Sequence, residues 1–296
     1  MTILCIGNFG TSWDGSICDE KHISECLKDM GHSINEFQRE MTSSGYRPID
    51  NFDFVLIAQW NGYGEHICKK LKETYNCPVV YWAFDYQWDS HEDWHFEMAK
   101  EADLFLSKEM DHKHDYEDMG CNFHWLPQDF SPIFLKPLHE IVSYKYEVTF
   151  TGSYLPQATF RNELLKAVDN KFDLHIFTVT PQPFIDNEFK NVHQAIVDEG
   201  SSIIYAQSKT NLSVDWKQAE GYWSDRMSQI LACGGYVINK YVPMQELDYP
   251  DVDHFNTIEE CLDLIENHVR NSGQKPVYVI DRVKQMLALV RQYEKS

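Results

Sequence analysis

The stretch 221–235, GYWSDRMSQILACGG, contains the residues whose types and spacing best suit chemistry. Ser224 is well placed to cap a helix, with Arg226 in its first turn. There the arginine's charge adds to the free N–H groups and the positive end of the helix dipole. Gln229, one turn further, is in reach of a sugar hydroxyl. The pattern favours a diphosphate site, and its alternative is a capped core helix with a surface arginine. The expected buried face carries Met227, Ile230 and Leu231.

A second candidate anion site lies in 148–161, VTFTGSYLPQATFR. A predicted strand ends at Gly152 and Ser153, a loop follows, and Arg161 opens the next helix. Because Gly152 has no side chain, the backbone there can come close to a phosphate. The spacing matches neither GxGxxG nor a P-loop, so a plain β–α turn is the alternative.

Two aspartates are candidate general bases for an acceptor hydroxyl. Asp14 lies at the mouth of the first predicted strand, and Asp85 follows the apolar run 78–84. Both therefore belong at the carboxyl ends of strands, where a carboxylate can accept a proton from a bound hydroxyl. An ordinary turn residue for Asp14 and a loop or helix cap for Asp85 are the alternatives.

The sequence His91-Glu92-Asp93-Trp94-His95 matches the HExxH pattern of zinc hydrolases. On a helix, the two histidines would lie one turn apart and could share a zinc ion. The segment is strongly acidic, and no third ligand stands out at the usual spacing. An exposed helix start is the alternative interpretation.

The elements that position these residues alternate between short apolar strands and amphipathic helices, which predicts parallel α/β sheets. The segment 126–137 interrupts this rhythm with three prolines in twelve residues. We therefore expect two Rossmann-like domains, 1–136 and 137–296, facing across a cleft that holds the ligands. The last helix, within 279–296, would pack back on the first domain. In the second domain, Ile203–Tyr205 is predicted to be a strand, and Thr257 with Glu260 to cap a helix.

Composition and charge make some classes of binding partner unfavourable. The chain has 296 residues, 43% of them hydrophobic, and a net charge of −20. Residues 85–129 alone carry thirteen acids against three bases, so polyanions and anionic membranes are disfavoured partners. The N-terminus has no signal-peptide pattern, no apolar run is long enough to span a membrane, and the eight cysteines form no CxxC pair. We therefore expect a cytoplasmic protein with reduced thiols.

Three segments together resemble the CgeB-like group of GT-B glycosyltransferases, close to the glycosyltransferase group-1 superfamily. They are Trp125-Leu-Pro-Gln128, Thr149-Phe-Thr-Gly-Ser153 with the downstream Arg161, and 223–235 with Arg226. The resemblance is clearest over about residues 120–270. It implies a C-terminal domain that binds a nucleoside-diphosphate sugar and an N-terminal domain that holds the acceptor. One departure is Gln229, which stands where relatives usually carry a glutamate that binds the donor ribose.

The resemblance implies donor binding, acceptor activation by Asp14 or Asp85, and no cofactor or metal. Glu220, Asp225 and Glu246 are the carboxylates that would compensate for Gln229. The acceptor is open, and hydroxymethylated DNA, the acceptor of phage enzymes of similar size, is one candidate. A zinc hydrolase at 91–95 and an inactive nucleotide-sugar binding module are the alternative functions. The expected donor-binding residues are Gly152, Ser153, Arg161, Arg226, Gln229 and Glu246.

Overall fold

The computed structural model describes residues 1–11, 16–39, 48, 50–58, 66–84, 93–127, 143–195, 197–217, 219–270 and 280–294. The chain divides into two compact units. Unit 1 comprises 1–133, 220–222 and 281–296, and unit 2 comprises 134–219 and 223–280. In the described part of the chain, no helix is long and apolar enough to cross a membrane. All eight cysteines are described, and none of them forms a disulfide.

Unit 1 is built on a six-stranded parallel sheet in the order β2-β1-β3-β4-β5-β6. Strands β1, β3, β4 and β5 are apolar along almost their whole length because helices cover both faces of the sheet. This is the pattern that the continuous apolar runs predict. The elements are β1 (Thr2–Gly7), α1 (Asp19–Asp29), β2 (Ser33–Gln38), β3 (Phe54–Ala58), α2 (Ile67–Tyr75), β4 (Val79–Ala83), α3 (Asp93–Glu101), β5 (Leu104–Ser107), α4 (Lys113–Asp118) and β6 (Phe123–Trp125).

Unit 2 repeats this architecture with a second six-stranded parallel sheet, in the order β12-β11-β10-β7-β8-β9. Its core packs the central strands against α5 and α10. The elements are β7 (Tyr146–Thr151), α5 (Thr159–Lys171), β8 (Leu174–Thr178), α6 (Gln182–Asp186), β9 (Asn191–Gln194), α7 (Glu199–Ala206), β10 (Ser208–Ser213), α8 (Arg226–Ala232), β11 (Val237–Lys240), α9 (Gln245–Asp248), β12 (Asp253–Phe255) and α10 (Ile258–Arg270).

The last helix, α11 (Arg282–Tyr293), belongs to unit 1 although it follows unit 2 in the chain. Its apolar face joins the core beside β1 and α1, and the Tyr293 hydroxyl donates to the Asp103 carboxylate at 3.1 Å. The side chains of this face that are buried are Val283, Met286, Leu287 and Val290.

The predicted strand at Ile203–Tyr205 is wrong, because these residues lie in helix α7. Ile204 is buried while Ile203 is 48% exposed, as expected of neighbouring residues on a one-sided helix. The strand of this region is β10, whose sequence SKTNLS is mostly polar. Its central residue Asn211 is buried because its amide is satisfied internally, accepting from Thr149 Oγ1 at 2.7 Å and donating to two backbone carbonyls.

Candidate functional site

The order of strands in unit 2 reverses between β7 and β10. From β7 the chain continues to β8 on one side, and β10 pairs with β7 on the other. In open parallel sheets, ligands bind outside the carboxyl ends of the strands at such a reversal. Two of the predicted residues, Gly152 and Ser153, follow the end of β7 directly, and Asp215 lies two residues after the end of β10. This edge is the candidate site.

Arg226, the first residue of α8, reaches across this reversal. Its Nε donates to the Thr151 carbonyl at 2.6 Å, and its Nη1 lies 3.7 Å from Oδ1 of Asp215. The guanidinium carbon lies 5.2 Å from the centre of the Phe150 ring. The Arg226 side chain is 16% exposed and that of Asp215 is 6% exposed. Arg226 is therefore partly buried and anchored to the ends of both strands, unlike the surface arginine of the alternative interpretation.

Arg161 lies beside the same ring, with its guanidinium carbon 5.7 Å from the Phe150 centre. Its Nη2 donates to the Ser153 carbonyl at 2.8 Å, and the residue is 4% exposed. Burial and the positive charge of Arg226 lower the pKa of Arg161 to about 10, against a smaller opposite effect of Asp215. We call Arg161 and Arg226 the arginine pair.

The arginine pair has donors that the protein leaves unused. Among the described residues, neither Arg161 Nε nor Arg226 Nη1 has a hydrogen-bond partner, although both atoms are buried. Buried donors in native proteins are almost always paired. The two arginines, with Asp215 as the carboxylate that acts on both, form a positive centre suited to an anion with several oxygens.

Gly152 makes room for the arginine pair. Its φ is +156°, and a Cβ at this position would lie 3.1 Å from Nη2 of Arg226 and 3.0 Å from Cζ of Phe150. A side chain here would push on both groups. The glycine therefore allows the close approach of a guanidinium to the turn after β7, a role that the sequence does not reveal.

The other predicted donor-binding residues are engaged locally. The Gln229 amide donates to the carboxylate of Asp225, one turn earlier. Glu246 is exposed on α9 and accepts from the Tyr241 hydroxyl at 3.4 Å.

The prediction that Ser224 caps α8 is wrong, because the N-cap residue is Asp225 and its side chain makes no capping hydrogen bond. Ser224 Oγ accepts from the Arg226 amide at 3.1 Å, and the regular helix begins only at Arg226. The face carrying Met227, Ile230 and Leu231 is buried, as predicted. Because α8 has only seven residues, positive charge at the site rests on the arginine pair and not on a long helix dipole.

The predicted bases Asp14 and Asp85 lie outside the described residues, as do His91 and Glu92. His95, the second histidine of the HExxH pattern, is not available as a zinc ligand. It is buried, with Nδ1 2.9 Å from the Tyr81 hydroxyl and Nε2 2.9 Å from the Tyr116 hydroxyl. Both ring nitrogens are thus occupied by tyrosine hydroxyls, so the predicted zinc site that uses His95 is wrong.

One cluster with metal-binding atoms does occur in unit 1. The ligand atoms of His66, Glu97 and Glu101 lie within 4.8 Å of one another. His66 Nδ1 lies 2.7 Å from the Glu101 carboxylate and 3.0 Å from that of Glu97, and these neighbours raise the pKa of the imidazole. The contacts within the described residues are those of a surface histidine between two carboxylates that favour its charged form.

Sequence reasoning missed two residues of the site. Phe150 has the pattern of an ordinary strand residue. The residues next to it in the sequence do not indicate that two guanidinium groups pack on its ring. Asp215 could have been predicted from its position just after the end of a strand. However, the sequence of β10 is mostly polar, so it was not recognised as a strand. Recognising SKTNLS as a strand would have pointed to Asp215.

No protein-family model matches the sequence, and no curated protein matches it. Solved structures resemble the whole chain. Sucrose-phosphate synthase from Thermosynechococcus elongatus is 11% identical, with 100% of both chains covered and a TM-score of 0.68. An alpha-glucosyltransferase in complex with UDP and a 13-mer DNA containing an HMU base is 10% identical, with 99% of this chain and 95% of that chain covered and a TM-score of 0.64.

A third such structure is Anabaena HepE in complex with UDP-glucose, which is 9% identical over 99% of this chain and 95% of that chain, with a TM-score of 0.58. At identities this low, the likeness establishes the fold and nothing finer. The chain has the GT-B fold of glycosyltransferases, with two Rossmann-like units.

Proposed function

We propose that this protein transfers a sugar from a nucleoside-diphosphate sugar to an acceptor hydroxyl. The observation that carries the proposal is the arginine pair with its unused buried donors, at the strand-order reversal of a GT-B unit. A diphosphate offers the several anionic oxygens that such donors bind. The neighbouring structures solved with UDP-glucose and UDP support this class of donor.

The same geometry explains how the reaction would be assisted. As the bond between the sugar and the diphosphate breaks, negative charge grows on the leaving oxygen. The anchored guanidinium groups are already oriented, so they stabilise that charge without reorganising. In this proposal Gly152 and Ser153 line the diphosphate, and Gln229 and Glu246 contact the ribose or the sugar. Asp14 or Asp85 accepts the acceptor's proton.

The proposed reaction needs no metal ion or cofactor, because the two guanidinium groups supply the positive charge that a metal supplies elsewhere. We expect chelation with EDTA to leave donor turnover and the melting temperature unchanged. Stoichiometric zinc in the purified protein, together with activity lost on chelation, would contradict this part of the proposal.

The direct test is a thermal-shift and calorimetric screen of UDP-, GDP-, ADP- and CMP-sugars, followed by an assay of nucleotide release. We expect one nucleoside-diphosphate sugar to bind, and Arg226→Ala to weaken its binding at least tenfold. Arg270→Ala is the matched control, since this arginine is exposed on α10 and paired with Glu266. If the wild type binds none of these donors at millimolar concentration, the proposal is wrong. Binding without any turnover identifies an inactive nucleotide-sugar binding module.

The acceptor is a separate question. Hydroxymethylated DNA is one candidate, because one neighbouring structure contains DNA with an HMU base. An enzyme acting on a base within a duplex must flip that base out. The net charge of −20 opposes DNA binding, so binding must be measured at several salt concentrations. Absence of binding to hydroxymethylated DNA at low salt would exclude this acceptor in favour of a small molecule. We also propose that the protein belongs to the CgeB-like group and that it is located in the cytoplasm.

A further inference from the structure

Two histidines on neighbouring strands of unit 2 contact each other through their ring nitrogens. His175 is the second residue of β8, and His193 is the third residue of the edge strand β9. Phe177 pairs with His193, and residues two apart along a strand share a face, so both histidines lie on the same face of the sheet. His175 Nδ1 lies 2.8 Å from His193 Nε2. We call His175 and His193 the histidine pair.

Hydrogen bonds fix which nitrogen of each ring carries a proton. The Asp173 carboxylate can only accept, so His175 Nε2, 3.2 Å from it, carries a proton and donates. Nδ1 of the neutral His175 ring therefore has no proton and accepts from His193 Nε2. The side-chain amide of Asn191 donates to the other oxygen of Asp173 at 3.0 Å and helps to hold that carboxylate. The unprotonated nitrogen of His175 thus faces His193.

The surroundings of the histidine pair favour its neutral form. The centre of the Phe177 ring lies 4.8 Å from that of His193, and the centre of the Tyr146 ring lies 4.9 Å from that of His175. Burial, and after it the charges of His175 and Lys145, lower the pKa of His193. Two imidazolium rings at this separation would also repel each other. Neutral imidazole is the form in which histidine binds metal ions.

The spacing of the two nitrogens is close to that of two ligands of one metal ion. Imidazole nitrogens bind zinc at about 2.0–2.1 Å, so two of them at an angle of about 90–110° lie about 2.9–3.4 Å apart. From the observed 2.8 Å, the rings need only turn until both lone pairs face a common point. The His175 side chain is 17% exposed, so an ion can reach it from solvent. Metal-bound histidines commonly donate their other N–H to a carboxylate, as His175 does to Asp173.

From this geometry we propose that the histidine pair binds a divalent late transition-metal ion such as Zn²⁺ or Ni²⁺. The ion replaces the proton between His175 Nδ1 and His193 Nε2. That proton moves through water to His193 Nδ1, so both rings stay neutral and no proton is released. In the described part of the chain, no third histidine, cysteine or carboxylate lies close enough to complete the site, so water molecules occupy the remaining positions.

The metal takes no part in the proposed sugar transfer. His175 lies near the amino end of β8, whereas the candidate site lies outside the carboxyl ends of β7 and β10. Two imidazoles and water hold an ion weakly, so we expect purification to remove it. This agrees with the expectation that chelation leaves turnover and the melting temperature unchanged. The metal-binding proposal and the proposed function can therefore fail independently of each other.

The first measurement is calorimetry and thermal shift of the metal-free protein with Zn²⁺ and Ni²⁺ at neutral pH. We expect micromolar Zn²⁺ to raise the melting temperature, and His175→Gln and His193→Gln each to weaken Zn²⁺ binding about tenfold or more. The melting temperature of each variant without metal checks its folding. His66→Gln is the matched control, because it removes the histidine of the other cluster with metal-binding atoms. It should leave binding at the histidine pair unchanged.

Two results of this measurement would overturn the proposal. One is a wild type that binds neither ion. The other is binding that disappears in His66→Gln but persists in His193→Gln, which would place the ion at the cluster in unit 1. Binding that disappears in His175→Gln and His193→Gln and persists in His66→Gln would support the proposal, whether or not any nucleotide sugar binds.

The second measurement tests the chemistry of the ligands. Mg²⁺ prefers oxygen ligands, so it should not shift the melting temperature at the concentration at which Zn²⁺ does. Asp173→Asn should weaken Zn²⁺ binding about tenfold, because an amide makes His175 a less basic ligand. Asp186→Asn is the matched control, since this exposed carboxylate accepts from Gln182 within α6. Equal shifts with Mg²⁺ and Zn²⁺, or wild-type affinity in Asp173→Asn, would contradict the site described here.

Discussion

At the scale of single residues, Arg226 is fixed on three sides before any ligand binds. Its Nε is held by the Thr151 carbonyl, its Nη1 faces Asp215, and its guanidinium lies against Phe150. Because of these contacts, the Arg226 side chain loses its conformational entropy when the protein folds and not when a ligand binds. This is the sense in which the side chain is preorganised. The same anchoring gives Arg226 a structural role in addition to the binding role that we propose for it.

We expect Arg226→Ala to lower kcat/KM for the donor about ten- to a hundredfold, since one charge-assisted contact is worth about 1.5–3 kcal/mol. Arg226→Lys should restore only part of this loss, because an ammonium lacks the planar fork. Steady-state kinetics with the identified donor measures both values. Arg270→Ala serves as the control, and its activity should equal that of the wild type.

The same substitution should also destabilise unit 2, contrary to what a surface arginine would do. Removing the side chain breaks the bond to Thr151 and takes away the guanidinium that pairs with the buried Asp215 carboxylate, a loss of about 1–3 kcal/mol. Urea unfolding compares Arg226→Ala with Arg270→Ala. Equal midpoints for the two variants would contradict the anchoring seen in the structure.

His95 provides a prediction about pH. Tyr116 donates its hydroxyl proton to Glu109, so it accepts from His95 Nε2, and Nδ1 accepts from Tyr81. Burial lowers the pKa of the neutral imidazole to about 3. In the unfolded chain the pKa is about 6.5. Below pH 6.5 the unfolded state therefore binds a proton at His95, whereas the native state does not. The free energy of unfolding consequently decreases as the pH falls from 6.5 towards 3.

We expect the stability difference between the wild type and His95→Gln to narrow by about 2 kcal/mol between pH 7 and pH 5. Glutamine can donate and accept as the imidazole does, but it takes up no proton in this range. Urea unfolding at both values of pH gives the comparison. Parallel pH curves for the two proteins would show that His95 is not the buried neutral group that the structure describes.

At the scale of elements, the sequence predicts correctly those features that depend only on neighbouring residues, such as the start of helix α10. Thr257 and Glu260 form the predicted capping box at the start of α10. The Glu260 amide donates to Thr257 Oγ1 at 3.2 Å, and the Glu260 carboxylate accepts from the Thr257 amide at 3.3 Å. These contacts involve residues three apart, so the sequence contains all the information they need.

Replacing Thr257 with alanine should reduce the free energy of unfolding by about 1 kcal/mol, because the Glu260 amide loses its acceptor. Thr74→Ala is the matched control: the Thr74 hydroxyl donates to Lys70 O within a helix, and its removal should change stability by less than about 0.5 kcal/mol. Chemical denaturation of both variants tests this. Equal losses would mean that the cap contributes nothing specific.

At the scale of the whole molecule, α11 closes the core of unit 1 from the far end of the chain. Met286 is fully buried in a cluster with Ile3, Leu27 and Leu104. Strand β1 and helix α11 therefore share one core although about 280 residues separate them, and the core of unit 1 is incomplete without α11.

We expect Met286→Ala to cost about 2–5 kcal/mol, the range for removing a large buried side chain from a packed core. Leu247→Ala is the control, because Leu247 is 67% exposed and its truncation should leave stability almost unchanged. Thermal or urea unfolding of the two variants decides this prediction. A Met286→Ala variant as stable as Leu247→Ala would contradict the packing of α11 in unit 1.

The sequence alone was enough to predict parallel α/β sheets and the helix that carries Arg226. Continuous apolar strands, helical stripes and capping boxes are local patterns, and their physical causes lie within a few residues of one another. For the same reason, the resemblance to GT-B glycosyltransferases could be noticed from three short motifs. The fold itself agrees with that resemblance.

Only the tertiary structure decided what the site residues touch. Arg161 and Arg226 share the Phe150 ring, and Asp215 lies beside Arg226, although these positions are far apart in the chain. The buried polar strand β10 and the buried His95 also depend on partners from other elements. Such contacts follow from strand order and packing, which a residue-by-residue pattern does not encode.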